Sequence, residues 1–128
     1  PALGSEHLLN ANLANNLFSG AIPERVSNMV NLSTLNLRSN RLRGSLPDLS
    51  RLVKLTSLDV TDNNLTGSGR LSGDQLFVSF AANSLETFPR AWMELPGVVS
   101  LDVSRNPLRE WPRAGVYSRA SFTPSDHP

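Results

Sequence analysis

The sequence predicts an α/β solenoid, a coil of short parallel strands returned by 3₁₀ or extended segments, and three observations point to it. Of the 128 residues, 21 are Leu, only one is Ile and 12 are Asn. Five of those Asn stand at residues 16, 40, 63, 83 and 106, at intervals of 24, 23, 20 and 23. The apolar residues keep the same places around them: Leu32, Leu35, Leu37 and Leu42 around Asn40 match Leu55, Leu58, Val60 and Leu65 around Asn63. A period of this length marks a repeat in which one unit buries little alone and stacked neighbours share a core.

With the leading apolar residue as place 1, the frame has apolar residues at places 1, 4, 6 and 11 and Asn at place 9. Places 4 and 6 alternate with polar ones, the period of a strand with one buried face, so each coil supplies one short parallel strand. Asn at place 9 has left the strand. Its amide both donates and accepts, so a column of such Asn satisfies the backbone of the turns along the stack. The first coil fits with Leu8, Ala11, Leu13, Asn16 and Phe18. The fourth has Gln75 leading, then Val78, Phe80, Asn83 and Leu85, and the fifth has Val98, Leu101, Val103, Asn106 and Leu108.

Between strands, Ile22, Val26, Met29 and Leu32 recur at spacings of three and four, as do Leu46, Leu49, Leu52 and Leu55, and Phe88, Trp92, Leu95 and Val98. That spacing predicts short helical or 3₁₀ turns facing the core. The third coil lacks such a run, so Arg70 to Asp74 reads as a tight connection anchored by Leu71. In the fifth, Trp111 is expected to fill the space that Phe88 fills one coil earlier. The chain thus divides into a lead-in over 1–7, about five coils over 8–112, and an irregular tail over 113–128 containing Tyr117 and Phe122. Apolar ends at Leu8 and Leu13 and at Leu101 and Trp111 make flanking chain or partner subunits an expectation.

The frame L-x-x-L-x-L-x-x-N-x-L, in five near-matches over nearly the whole chain, resembles the leucine-rich-repeat family. The resemblance implies a curved, right-handed coil with its strands on the concave face. Gly20-Ala-Ile22-Pro23 and Gly44-Ser-Leu46-Pro47 follow the first two frames, and the third continues as Leu65-Thr-Gly67 but has Gly69 where Ile or Leu is expected. N-x-L-x-G-x-I-P is similar to the plant-type subclass, which implies an extended segment on the side of the coil. Leu85-Glu-Thr-Phe88-Pro89 and Leu108-Arg-Glu-Trp111-Pro112 are one residue shorter, like the typical shorter subclass, so the change falls at Gly67 to Gly73. The function implied is protein or peptide recognition on the concave face, as in receptor ectodomains and inhibitor proteins, in an extracellular or secretory setting. Such relatives carry Cys-containing caps and this chain has no Cys, so a structural subunit of a larger, intracellular assembly is the competing reading.

Composition and motifs exclude more than they assign. With no Cys there is no disulfide framework, thiolate metal site or Cys nucleophile in this chain. A net charge of +1 gives little support for nucleic-acid binding, which needs a clustered basic footprint. The longest apolar stretch, Leu76 to Ala82, is broken by Ser79 and is far shorter than the roughly 18 residues a membrane helix needs. Gly67, Gly69 and Gly73 miss the dinucleotide spacing and no Lys-Ser/Thr follows, so they read as a length adjustment rather than a phosphate cradle. His7 and His127 lie at opposite ends of the stack and share no metal or triad. Asp59 and Asp102 fall two rungs apart, about 10 Å, near the carboxylate separation of inverting glycosidases. Ser79 intervenes, however, and no catalytic residue, metal ligand or cofactor is expected.

The concave face is the candidate binding surface. Its outward places read Asn10, Asn12, Ala14 and Asn15; Thr34, Asn36, Arg38 and Ser39; Ser57, Asp59, Thr61 and Asp62; Phe77, Ser79, Ala81 and Ala82; Ser100, Asp102, Ser104 and Arg105. The expected partner-binding residues are Asn36, Arg38, Asp59, Asp62, Phe77, Ser79, Asp102 and Arg105. Phe77 beside two Ala reads as a depression for an apolar side chain, with Asp59, Asp62 and Asp102 flanking it to pair with a basic group. The plain alternative is a solvated sheet with an incidental Phe. Arg supplies 11 of the 12 basic residues, and Arg38, Arg41, Arg43 and Arg51, with Arg105, Arg109, Arg113 and Arg119, suggest a second, basic surface unless the bias is only compositional. Asn31-Leu-Ser33 and Asn64-Leu-Thr66 match the N-glycosylation acceptor and are expected to face outward.

Overall fold

The computed structural model describes residues 9–72, 74–87, 92, 95 and 97–109 and the backbone of 121–122. His7, Leu8, Gly73, Phe88, Trp111, Arg113, Tyr117, Arg119, His127 and the side chain of Phe122 lie outside the described residues. In chain order the strands are β1 (Asn10–Asn12), β2 (Ser19–Gly20), β3 (Thr34–Asn36), β4 (Arg41–Ser45), β5 (Ser57–Asp59), β6 (Asn64–Gly67), β7 (Leu76–Ser79), β8 (Val98–Asp102) and β9 (Ser121–Phe122). They form two sheets, β1-β3-β5-β7-β8-β9 and β2-β4-β6, and every pairing is parallel.

The register of the larger sheet follows the repeat frame. Ala11, Leu35, Leu58, Val78 and Leu101, all at place 4, stand opposite one another on successive rungs. Each is buried, and so are Leu37, Val60, Phe80 and Val103 at place 6. The sheet also gains a rung where the frame is absent: β9 pairs Ser121 with Ser100 and Phe122 with Leu101. The segment read as an irregular tail therefore contributes a strand, and Leu101, expected at an open apolar end, is fully buried.

The spacing of three in the return segments has a direct cause. Val26, Met29 and Leu32 each donate their N–H to the carbonyl three residues earlier, those of Pro23, Val26 and Met29, at 3.1, 3.1 and 3.0 Å. The same bond links Leu52 to Leu49, Leu55 to Leu52, Leu95 to Trp92 and Val98 to Leu95. These are 3₁₀ contacts, in which residues three apart eclipse and one row faces the core. Glu24–Asn28 is a formal 3₁₀ helix.

On the flank of the coil, β2, β4 and β6 of the first three coils build the smaller sheet. Gly20 and Gly44, both at φ +79°, hold left-handed conformations open to Gly. Gly69 (φ +68°) explains the missing Ile or Leu of the third coil: a Cβ there would meet Leu46 O at 2.8 Å and Pro47 O at 2.9 Å. Its carbonyl accepts the indole N–H of Trp92 at 3.2 Å. Trp92 is fully buried and packs edge-on against Phe80, with centroids 5.6 Å apart. Leu71 is buried as expected.

A second left-handed column precedes the ladder Asn. Asn15, Ser39, Asp62, Ala82 and Arg105, all at place 8, have φ between 54° and 63°. In four of them the N–H donates to the place-7 carbonyl of the next coil: Asn15 to Arg38, Ser39 to Thr61, Asp62 to Ala81 and Ala82 to Ser104, at 2.8 to 3.0 Å. Asn and Asp tolerate this conformation, whereas Ala spends about 1–2 kcal/mol on it. Ala82→Asn is therefore expected to gain roughly 0.5–1 kcal/mol, and Gly69→Ala to lose about 2 kcal/mol or more from strain and collision together. Urea melts of the two variants check both signs.

Candidate functional site

Two columns of side chains project from the larger sheet on the face opposite the core. Asn10, Thr34, Ser57, Phe77 and Ser100 form the place-3 column, and Asn12, Asn36, Asp59, Ser79 and Asp102 the place-5 column. Neighbouring rungs are about 4.8 Å apart. Phe77 is 53% exposed, the one large apolar side chain in either column.

The place-5 residues share a feature that the sequence did not disclose. Asn12, Asn36, Asp59 and Asp102 each accept, through Oδ1, the backbone N–H two residues on, at 3.2, 3.0, 3.0 and 3.0 Å. These Asx turns pin each side chain to its own backbone as the strand ends. Asn12 and Asn36 keep Nδ2 as a donor, and Asp59 and Asp102 keep Oδ2 as an acceptor. The strip therefore changes polarity from amide donors on the first two coils to carboxylates on the third and fifth. Asn12 belongs to this set and was absent from the expected contacts; the recurrence of Asn or Asp at place 5 in four coils was the signal for it.

Charge pairing on this face is loose. Arg38 Nη1 lies 3.9 Å from Asp59 Oδ2, with both side chains partly in water, so the pair contributes little. Ser39 donates to Asp62 Oδ2 at 3.0 Å. Asp102 Oδ1 also accepts from Ser104 Oγ at 2.8 Å. Ser79 shares a hydrogen bond with Thr61 Oγ1. Asp59 and Asp102 are separated by the Ser79 rung, and among the described residues no three acidic or His side chains converge to hold a metal ion.

Place 7 differs from expectation. Thr61, Ala81 and Ser104 are only 3%, 2% and 5% exposed. The chain has left the strand by this place and rolls toward the αL residue, which turns the small side chains of the third to fifth coils inward; Ala14 of the first coil is half-buried and the long Arg38 stays in solvent. Ala81 therefore lines no open depression. Phe77 stands as a knob on the surface rather than at the rim of a seat.

Among the described residues, the Arg of the expected basic surface do not gather on one face; Arg113 and Arg119 lie outside them. Arg38 and Arg105 lie on the concave side, Arg41 and Arg43 on the flanking β4, and Arg51 on the return side, where it donates to Asn28 Oδ1 at 2.8 Å. Arg109 pairs with Glu86 at 2.7 Å. At the first coil, a cavity of about 540 Å³ opens among Ala11, Leu13, Ile22, Val26 and Met29, with Phe18, 45% exposed, in its lining. Among the described residues no helix is long and apolar enough to cross a membrane.

Stacked parallel rungs, buried side chains at places 4 and 6 and an Asn at every turn recur from coil to coil. A family model described as Leucine Rich Repeat matches residues 31–52. The chain is a leucine-rich-repeat protein. Receptor-like protein CLAVATA2 of Arabidopsis thaliana is 40% identical over 60 residues, 47% of this leucine-rich-repeat chain and 8% of that protein. Tsukushi of Rattus norvegicus is 33% identical over 118 residues, 86% of this chain and 33% of its own. A chain in the crystal structure of the LRIM1/APL1C complex superposes with a TM-score of 0.62 at 20% identity, covering 94% of this chain and 26% of that one, which establishes the shared fold. In each case the chain spans a third or less of the protein it matches.

The Asx reading separates charge from structure. Asp102→Asn keeps an acceptor for the Ser104 N–H and is expected to melt like the parent. Asp102→Ala removes it and is expected to cost about 1 kcal/mol. Equal melting of Asn and Ala variants in urea would show the turn bond to be idle.

Proposed function

We propose that the chain is a non-catalytic module that binds a protein or peptide across its concave face, in an extracellular or secretory setting. The observation that carries this reading is Phe77, an exposed aromatic ring among side chains that are otherwise polar and largely pinned. An aromatic knob on a rigid sheet supplies contact area at little entropic cost, and pinned neighbours add direction without having to be ordered. The partner that fits offers a pocket for Phe77, a cationic group near Asp59, Asp62 and Asp102, and acceptors toward Asn36. Arg38, Ser79 and Arg105 border the same strip. Relatives named as receptor-like proteins support recognition as the role and the secretory pathway as the setting.

A structural subunit docked in a larger multiprotein assembly is the second reading. The open cavity beneath the first coil, with the exposed Phe18 in its lining, favours it.

The two readings separate by mutation. In a binding assay against partners captured on the immobilised chain, Phe77→Ala is expected to weaken a concave-face partner by more than tenfold, the loss of roughly 1.4–2 kcal/mol typical of a hot-spot truncation. Asp59→Arg is expected to weaken it further by charge reversal. Binding that survives both changes and fails in Phe18→Ser moves the interface to the end of the coil.

A further inference from the structure

We infer that Asn64 is an N-glycosylation site that carries its sugar on the flank of the solenoid and leaves the concave face clear. The acceptor triplet Asn64-Leu65-Thr66 lies on β6 with an exposed–buried–exposed pattern, so the Asn and the Thr share one outward face while Leu65 is sealed in the core. Asn64 Oδ1 accepts a hydrogen bond from Ser84 Oγ, which orients the amide. Its Nδ2, the atom that would be glycosylated, has no acceptor among the described residues. In register across β4 stands Arg43, itself exposed, so no packed neighbour has to move to admit a sugar.

The second triplet is placed differently. Asn31 is half-buried, and its Oδ1 accepts from Lys54 Nζ at 2.9 Å, a link from the second coil to the third. Ser33 Oγ meets Thr56 Oγ1 at 3.3 Å and the Ser33 carbonyl accepts the Thr56 N–H at 2.8 Å, so this triplet is woven into the contact between coils. A glycan on Asn31 would crowd that contact, whereas the link of Asn64 to the next coil runs through Oδ1 to Ser84 and leaves the Nδ2 side open.

The reaction is transfer from a polyprenyl-diphosphate-linked oligosaccharide. The Asn64 Nδ2–C1 bond forms, the C1–O bond to the diphosphate breaks with its electron pair leaving on the diphosphate, and the amide gives up one proton to the medium. The lipid-linked donor and the transferase belong to the secretory pathway. Natural use of the site therefore rests on the setting proposed above, whereas the capacity of the triplet to accept a sugar does not.

The test is translation of the whole chain behind an added signal peptide in the presence of endoplasmic-reticulum membranes, read by gel shift before and after endoglycosidase. A one-glycan shift that persists in Ser33→Ala and disappears in both Asn64→Gln and Thr66→Ala is expected. No shift, or a shift lost in Ser33→Ala and kept in Thr66→Ala, overturns the inference. Mass is the readout, so a variant that folds poorly still reports. On native protein from the secretory fraction, an Asn64 bearing the glycan supports the inference and a bare Asn64 overturns it. A chain confined to the cytosol would instead overturn the proposed setting.

Discussion

The amide of the ladder Asn joins groups that no strand pairing reaches. Asn83 is buried; its Nδ2 donates to the Val60 carbonyl of the coil before at 2.9 Å and to the Phe80 and Ala81 carbonyls of its own turn at 3.2 and 3.1 Å. Its Oδ1 accepts the Leu65 N–H of the coil before at 2.9 Å. Asn40, Asn63 and Asn106 repeat the pattern on their own neighbours. Strands of three to five residues are too short to hold parallel coils together by themselves, and the turn that ends each strand would otherwise bury unpaired donors and acceptors. The strained place-8 residue is tolerated for the same reason. Its N–H is held by the next coil, and the Asn that follows it is held by the last.

Because stability is carried by these neighbour-to-neighbour contacts and by the Leu rows beneath them, the outward columns are free to vary. The core columns at places 4 and 6 stay apolar in every coil, whereas place 3 holds Asn, Thr, Ser, Phe and Ser and place 5 holds Asn, Asn, Asp, Ser and Asp. The Asx turns tie place 5 into the scaffold without fixing its charge, since Asn and Asp make the same bond. A surface of this kind can change partner with little change in fold, and the lone exposed ring of Phe77 is where it departs most from plain solvation.

What the sequence discloses follows from how each feature is encoded. Periodic burial is written in Leu positions, so the strands of the coils, the place-4 and place-6 core and the three-spaced return turns were all legible. Features set by contacts between coils were not. Gly69 looked like a missing Leu until the Leu46 and Pro47 carbonyls were found where its side chain would go. Ala81 looked like part of a surface depression because alternation was carried past the end of β7, where the backbone turns into the left-handed region at Ala82. The strand Ser121–Phe122 carries no Asn and no frame, and only its pairing with β8 reveals it. At the candidate site the identity of the outward residues was readable, while their Asx pinning and the scattering of the Arg residues around the coil needed coordinates.

The central role of the ladder is tested most directly by urea unfolding of Asn83→Ala beside Asn16→Ala. Among the described residues, Asn16 bonds only to the Leu13 and Ala14 carbonyls of its own turn, in solvent. Removing the Asn83 amide leaves the Leu65 N–H unpaired in the core, at about 1–3 kcal/mol, and takes one of two donors from the Val60 carbonyl, which keeps Asn63 Nδ2 at 3.1 Å. A loss of roughly 2 kcal/mol or more at Asn83 and less than about 1 kcal/mol at Asn16 is the expected result. Equal, small losses at both positions would contradict the account and place the stability in the Leu rows alone.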